Sequence, residues 1–308
     1  MRSIPVEIVV LAASISALAQ TPCKPTVSGD LRVERFESKT FGKMMTVRVW
    51  LPIGYGETAN ANRKYPTLYM LDGQTLFDEC TAFKGEHELH LDETVSQLVS
   101  EGKIPPMVIV GIDSTERRDY EYAPYKNPVT DAHKPDPIGK QLPFFFAQEL
   151  VPWTRDRYRV TSNAAETAIG GTSLGAAAAL YVSLQRPDLF GLALLQSPSL
   201  LLGNGQLLRD TSLLARAPDR TSIGVGAKEF NFPDIDSYFK QYRLSRPEAE
   251  AGIVKMTEVL AANLKAAHIK NSSVRLVVAP NGRHDSASWA ARMPDAITFL
   301  FGPDKSAQ

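Results

Sequence analysis

Residues 167–180 read TAIGGTSLGAAAAL, a stretch that predicts a strand, a sharp turn and a helix in direct succession. Thr167 to Ile169 is typical of a buried strand, and the alanine-rich run after Leu174 is typical of a helix packed closely on a sheet. Between them stands Gly171-Thr172-Ser173-Leu174-Gly175, a G-x-S-x-G motif. Alone this motif is weak evidence, but in this setting it predicts a strained turn that projects the Ser173 hydroxyl above the sheet.

Short apolar runs alternate with helix-type segments on both sides of this turn. The predicted strands are 46–51, 66–71, 107–110, 167–169, 192–195, 222–225 and 274–278. The predicted helices are 91–99, 144–156, 174–185, 253–267 and 286–300. Several strands are continuous apolar runs, which is typical of parallel strands covered on both faces. The alternation predicts an α/β fold with a mostly parallel central sheet, helices on both faces, and the chemistry at the carboxyl ends of the strands.

The composition limits the classes of function. A chain of 308 residues is long enough to bury a full-sized core without support from disulfides or metals. Its 34 Lys and Arg residues balance 34 Asp and Glu residues, which argues against a nucleic-acid partner because such proteins need a basic face. We find no repeat and no break in composition, so we expect residues 20–308 to form a single domain.

The first residues have the pattern of an export signal. Arg2 precedes the apolar run 8–13, and Ala17-Leu18-Ala19 fits a cleavage site. The run is shorter than the 20 or so residues that a bilayer requires. We therefore expect residues 1–19 to be a signal peptide, the protein to be secreted or periplasmic, and no membrane anchor. In an exported protein, Cys23 and Cys80 could pair or remain two thiols, and the sequence leaves both open.

A nucleophilic serine needs a histidine base and an acid that orients it. His284 lies between the last predicted strand and the last helix, where the chain order Ser…acid…His of α/β-hydrolases places the base. The first carboxylate after the strand 222–225 is Glu229, which we take as the acid. Asp234 and Asp236 follow closely and stay open as alternatives.

Two further features bear on the predicted site. An oxyanion hole needs two backbone N–H groups, which we assign to Leu174, after the nucleophile, and to Gln74, in the loop after an early strand. His87 and His90 have the i, i+3 spacing of a metal pair, but without a third ligand in view they favour a solvated face. We expect no metal and no cofactor.

The segment 66–78, PTLYMLDGQTLFD, resembles the first signature of an esterase branch of the α/β-hydrolases. That branch includes enterochelin-type esterases, feruloyl esterases, S-formylglutathione hydrolases and mycolyltransferases. The likeness continues in the family's order through 111–122, 149–159, 169–175, 197–199 and 284–292, and covers about residues 44–302. The resemblance implies the same site: Ser173 as nucleophile, His284 as base, Glu229 as acid, and the Leu174 and Gln74 amides as oxyanion donors. Leu200 and Leu201 stand where aromatic residues are common in the family. Because this changes the wall of the pocket, the substrate of any one relative cannot be assigned to this chain.

These observations predict a serine carboxylesterase that acts on a small-molecule or carbohydrate-linked ester through an acyl-serine intermediate. Arg118, Tyr122 and Trp289 are the candidates for substrate contacts. An acyltransferase of the mycolyltransferase type would use the same triad and stays open. A serine peptidase and a catalytically dead binding module are further alternatives, and the sequence leaves the oligomeric state open.

Overall fold

In the computed structural model, which describes residues 23–83, 86–126, 133–230, 245–267 and 273–303, eight strands form one sheet. The strands are β1 Asp30–Ser38, β2 Lys43–Leu51, β3 Thr67–Leu71, β4 Val108–Ile112, β5 Thr167–Thr172, β6 Leu192–Gln196, β7 Arg220–Gly226 and β8 Ser273–Ala279. Their order across the sheet is β1-β2-β4-β3-β5-β6-β7-β8. Strand β2 is antiparallel to both of its neighbours, and every other pair is parallel. The predicted mostly parallel α/β architecture is confirmed.

The burial of each strand follows its position in the sheet. Strands β3 and β4, with the sequences TLYML and VIVGI, are buried at every residue, as their continuous apolar runs predict. Strand β1 is not among the predicted strands, because its charged sequence DLRVERFES lacks the apolar run of a central strand. It forms the edge of the sheet, where most of its side chains reach solvent.

The helices of the described residues pack on both faces of the sheet. They are α1 Leu91–Ser100, α2 Arg118–Tyr122, α3 Leu142–Phe145, α4 Val151–Arg157, α5 Leu174–Gln185, α6 Leu202–Asp210, α7 Arg246–Ala266 and α8 Ser286–Phe301. Because alternate side chains of a strand face opposite ways, β3 contributes to two cores. Tyr69 and Leu71 join the core that contains the alanines of α5. Leu68 and Met70 join the core formed with α1 and α8.

Two predicted helices differ from the observed ones. The helix expected over 144–156 is divided by a π-helical turn at Phe146–Leu150, just before Pro152, which has no N–H to continue the α-helical ladder. The helix expected from residue 253 begins already at Arg246. Ser245 and Glu248 form a capping box there, a start signal present in the sequence.

The two cysteines are joined in a disulfide. Cys23 and Cys80 have Cα atoms 5.5 Å apart, and their bond fixes the segment before β1 to the loop after β3. The sequence had left this pairing open. The predicted signal peptide, residues 1–19, lies outside the described residues. Within the described part of the chain, no helix has the length and apolar character needed to cross a bilayer.

Candidate active site

The predicted nucleophile stands on the sharp turn that the sequence indicated. Strand β5 ends at Thr172 and helix α5 begins at Leu174, so Ser173 alone joins them, with φ 54° and ψ −122°. A serine at positive φ is strained, by about 1–3 kcal/mol. A Cβ on Gly171 would lie only 2.5 Å from the carbonyl carbon of Gly175, so the turn requires glycine there. The turn is held by a 2.9 Å bond from the Ser173 N–H to the Gln196 carbonyl.

Ser173, His284 and Glu229 form one hydrogen-bonded chain. The Nε2 atom of His284 lies 2.8 Å from Ser173 Oγ, and its Nδ1 atom lies 2.6 Å from Glu229 Oε2. Glu229 follows β7 and His284 follows β8, so the carboxyl ends of adjacent strands bring them together. The alternative acids Asp234 and Asp236 lie outside the described residues. This geometry suits proton transfer from a hydroxyl to an imidazole that a carboxylate orients.

The Glu229 carboxyl group is buried but well supplied with donors. Its Oε1 atom accepts a 2.6 Å bond from the Gly226 N–H and a 2.8 Å bond from the Ser197 hydroxyl. Burial acts to raise the pKa of Glu229, but the hydrogen bond and charge of His284, with these two donors, outweigh it. The pKa of Glu229 is therefore lower than usual, and the group is a carboxylate at neutral pH.

Behind Glu229 lies a buried polar network that the sequence analysis did not identify. Ser197 Oγ accepts bonds from Trp289 Nε1 at 3.0 Å and from Arg292 Nη2 at 3.2 Å. Because both lone pairs of this hydroxyl are occupied, its hydrogen points to Glu229. Arg292 also donates to Gln196 Oε1 at 2.7 Å, and burial lowers its pKa. The only sequence signal was that Ser197, Trp289 and Arg292 fall in the stretches 197–199 and 284–292 that resemble the esterase branch.

Trp289, predicted to contact substrate, is buried against the imidazole of His284. The two rings meet edge to face, with centroids 5.1 Å apart and an angle of 81°. It does not line the cavities described below, and its position instead fixes the orientation of His284 from one side.

The two predicted oxyanion donors lie on neighbouring segments. Leu174 opens helix α5, so its N–H has no acceptor within the helix. Gln74 lies in the turn Gly73–Thr75 after β3, the strand next to β5. The turn and the helix are in contact, since a Cβ on Gly175 would lie 2.8 Å from Asp72 Oδ2. Both N–H groups are therefore at the same edge of the sheet as Ser173.

The turn that carries Gln74 is held by Arg118 and Tyr122. Arg118 binds both carboxylate oxygens of Asp72 at 2.7 Å, and the Tyr122 hydroxyl accepts a 3.3 Å bond from the Asp72 N–H. Burial acts to lower the pKa of Arg118, but the bonds and charge of Asp72 outweigh it and raise this pKa. Of these two predicted substrate contacts, Arg118 also lines a cavity beside Ser173, whereas Tyr122 is buried behind the turn.

Two cavities meet at the triad. The larger, about 580 Å³, is called here the cationic cavity, because four of its lining residues are basic and two are acidic. It is lined by Ser173 and Leu174 together with Arg117, Arg118, Lys126, Lys134, Glu116, Asp119, Tyr120 and Tyr125, among others. The smaller, about 290 Å³, is the apolar cavity, lined by Ser197, Pro198, Ser199, Leu200, Leu201, Glu229, Phe230, Ile253 and His284. Ser199 lines both, with its Oγ 3.5 Å from that of Ser173.

The sequence model of the protein family described as "Putative esterase" matches residues 38–300. The chain belongs to this esterase family. Among curated relatives, this esterase is 27% identical over 168 residues to an endo-1,4-beta-xylanase/feruloyl esterase of Xylanibacter ruminicola, covering 53% of the chain and 21% of the relative. It is 24% identical over 270 residues to the iron(III) salmochelin esterase of Escherichia coli O6:H1, covering 85% of the chain and 55% of the relative. The chain thus spans from a fifth to just over half of the length of these two relatives.

Solved structures share the fold of this esterase. Ferric enterobactin esterase from Salmonella typhimurium superposes with a TM-score of 0.64 at 19% identity, covering 91% of this chain and 60% of that one. The BES protein from Bacillus cereus gives a TM-score of 0.65 at 17% identity, covering 90% of this chain and 98% of that one. At these identities the likeness establishes the α/β-hydrolase fold and no more.

Proposed function

We propose that this esterase is a serine carboxylesterase in which Ser173 is the nucleophile, His284 the base and Glu229 the acid. The observation that carries the proposal is the continuous hydrogen-bonded chain from Ser173 Oγ through the imidazole to Glu229. Membership of the esterase family supports carboxylic ester hydrolysis as the reaction. The strained backbone at Ser173 adds support, since such strain is concentrated at functional sites.

In the proposed mechanism, His284 Nε2 removes the proton of Ser173 as its oxygen attacks the ester carbonyl carbon. The carbonyl oxygen becomes an oxyanion, which the N–H groups of Leu174 and Gln74 stabilise. Glu229 stabilises the imidazolium through Nδ1. The tetrahedral intermediate then collapses, the imidazolium protonates the departing alcohol, and the acyl group remains on Ser173. Water, activated by His284, attacks the acyl carbon and releases the acid.

The two cavities suggest which ester fits. The apolar cavity, walled by Leu200 and Phe230, suits an apolar or aromatic group on one side of the ester bond. The cationic cavity, with Arg117 stacked on Tyr120 at 4.2 Å, suits a hydroxylated or anionic group on the other side. The names of the relatives, a feruloyl esterase and a salmochelin esterase, both fit this description. We propose an ester of enterochelin or feruloyl type as the substrate class.

We further propose that the protein acts outside the cytoplasm. Disulfides persist in oxidising compartments, and the bond between Cys23 and Cys80 supports such a location. The predicted signal peptide over residues 1–19 agrees with it. Fractionation of the producing cells, with detection of the mature chain in each fraction, would measure the location of the protein directly.

The proposal is tested by hydrolysis of p-nitrophenyl acetate and p-nitrophenyl butyrate, with the acid and the alcohol both quantified. Wild-type protein is expected to release one acid per nitrophenol, and Ser173→Ala to lose at least a thousandfold in kcat. Ser199→Ala, which removes a neighbouring hydroxyl, is the matched variant and should lose no more than about tenfold. Nitrophenol release without free acid when a sugar is added would favour acyl transfer. Full activity in Ser173→Ala would overturn the assignment.

A further inference from the structure

The side chain of Gln74 is bonded to the chain just after strand β4, a contact that the proposed mechanism does not use. Its Nε2 donates to Ser114 Oγ at 2.7 Å, and its Oε1 accepts from the Ser114 N–H at 2.9 Å. Because a backbone N–H can only donate, the atom that faces it must be the amide oxygen, and the other end of the amide is then the donor. The two bonds therefore hold the whole Gln74 side chain in one orientation.

The backbone of Gln74 is also held on its carbonyl side. Thr81 Oγ1 donates to the Gln74 carbonyl oxygen at 2.7 Å. Within the described part of the chain, the N–H of Gln74 has no acceptor, whereas the N–H of Thr75, the next residue, donates to the Asp72 carbonyl at 3.0 Å. Among these described contacts, the N–H is thus the polar group of Gln74 that is left to bind an incoming oxygen.

The segment that carries Ser114 is itself firmly held. Its neighbour Asp113 accepts hydrogen bonds from Nε and Nη2 of Arg48, on strand β2, at 2.7 and 2.9 Å. The turn that contains Gln74 lies directly against this segment, since a Cβ on Gly73 would lie 2.6 Å from the carbonyl carbon of Gly111. Ser114 therefore stands on a fixed base that is in contact with the turn.

The turn needs support at both of its ends. Asp72, which precedes it, has φ 63° and ψ 47°, a left-handed conformation that is uncommon for a residue other than glycine. The contacts of Asp72 with Arg118 and Tyr122 hold that end, and Ser114 holds the end at Gln74. Such support matters for catalysis, because an oxyanion donor is effective when it points in advance at the place where the charge develops.

We propose that Ser114 and the side chain of Gln74 are positioning residues that hold the Gln74 N–H in place for the oxyanion. This inference rests on the proposed esterase mechanism and assigns no chemical step to either side chain. Ser114 lines neither the cationic nor the apolar cavity, so it acts through Gln74 rather than on the substrate. Since the oxyanion forms only as the tetrahedral intermediate develops, the contribution of the pair belongs to kcat and not to substrate binding.

The test compares Gln74→Met, Ser114→Ala and the double variant with the wild type in p-nitrophenyl butyrate hydrolysis. Gln74→Met keeps the backbone N–H but removes both bonds to Ser114, and kcat should fall by about ten- to a hundredfold, less than the loss of a whole oxyanion donor. Ser114→Ala removes one of the two bonds and should lower kcat about threefold. The double variant should be no slower than Gln74→Met, because both changes remove the same interaction. KM should stay within about threefold of the wild type in all three variants.

Inhibition by phenylboronic acid gives a second measurement on the same proteins. The Ser173 oxygen adds to its boron, with the proton passing to His284, and the adduct resembles the tetrahedral intermediate. The inhibition constant should therefore rise in each variant by about the factor by which kcat falls. A loss of stability that left the turn unchanged would not alter this constant at temperatures well below the melting temperature.

Ser100→Ala is the matched control, because Ser100 is exposed at the end of helix α1. It should keep the kcat and the inhibition constant of the wild type. Unchanged kcat in Gln74→Met, losses that multiply in the double variant, or a fall in kcat at an unchanged inhibition constant would each overturn the positioning role. Wild-type protein that neither hydrolyses the ester nor binds the boronic acid would instead overturn the proposed function, and this inference with it.

Discussion

Replacing Glu229 by glutamine should switch off the proposed esterase by changing the tautomer of His284. The Oε1 position of this side chain faces two donors, the Gly226 N–H and the Ser197 hydroxyl, so the amide oxygen of the introduced glutamine will be held there. Its NH₂ group then occupies the place of Oε2 and donates to His284 Nδ1. The ring proton must move to Nε2, which can no longer accept the proton of Ser173. We expect kcat to fall about 10⁴-fold, which corresponds to a rise of about 5 kcal/mol in the activation free energy. This is the loss that the wrong histidine tautomer causes in a serine protease.

The assay for this variant is the initial rate of p-nitrophenyl butyrate hydrolysis at neutral pH, with folding checked by circular dichroism. Glu258→Gln is the matched control, since Glu258 is exposed on helix α7 and forms its ion pair with Lys255, away from the triad. It should retain wild-type kcat. A folded Glu229→Gln protein whose kcat stays within tenfold of the wild type would refute the assignment of Glu229.

Four further outcomes follow from the geometry. Ser197→Ala removes a donor to Glu229 and so raises the pKa of that carboxyl group. A lowered carboxyl pKa gives stability that is present above pH 4.5 and is lost as the pH falls through the pKa of the folded protein. Thermal melts between pH 3 and 7 should therefore show this variant unfolding at a higher pH than the wild type. Gly171→Ala should lower kcat at least a hundredfold, because its Cβ would displace the start of α5, whereas the control Gly252→Ala has open space around it and should leave kcat unchanged. Cys80→Ser opens a loop with a sequence separation of 57 and should lower the free energy of unfolding by about 4 kcal/mol in urea titrations, an expectation contradicted if the midpoint does not move. Arg117→Gln should raise KM for an ester that carries an anionic group more than for a neutral ester, and equal effects on both would argue against the cationic cavity as the site of that group.

Most of the fold could be predicted because its central strands are buried on both faces. Strands β3 and β4 need continuous apolar runs, and such runs bounded by glycine or aspartate can be recognised without other information. The edge strand β1 was not predicted, because an exposed strand does not need a continuous apolar run. The early start of α7 at Arg246 was also missed, although the capping pair Ser245 and Glu248 marks it.

The site was predictable to the extent that it depends on chain order. Ser173, His284 and Glu229 each follow a strand in the expected sequence, and the structure brings them within hydrogen-bond distance. The roles of Ser197 and Arg292 were not accessible, because they act through contacts between segments about 95 residues apart. Trp289 illustrates the same limit, since helical spacing alone does not tell a cavity wall from a buried support.

The central claim, that Ser173 is an activated nucleophile, is tested most directly by covalent labelling with a fluorophosphonate. The labelled protein is analysed by intact mass and then by peptide mapping. The account predicts one adduct per chain, on the peptide that contains Ser173, with labelling abolished in Ser173→Ala and slowed in His284→Gln. Absence of an adduct on the folded protein, or an adduct on Ser199 in its place, would contradict it.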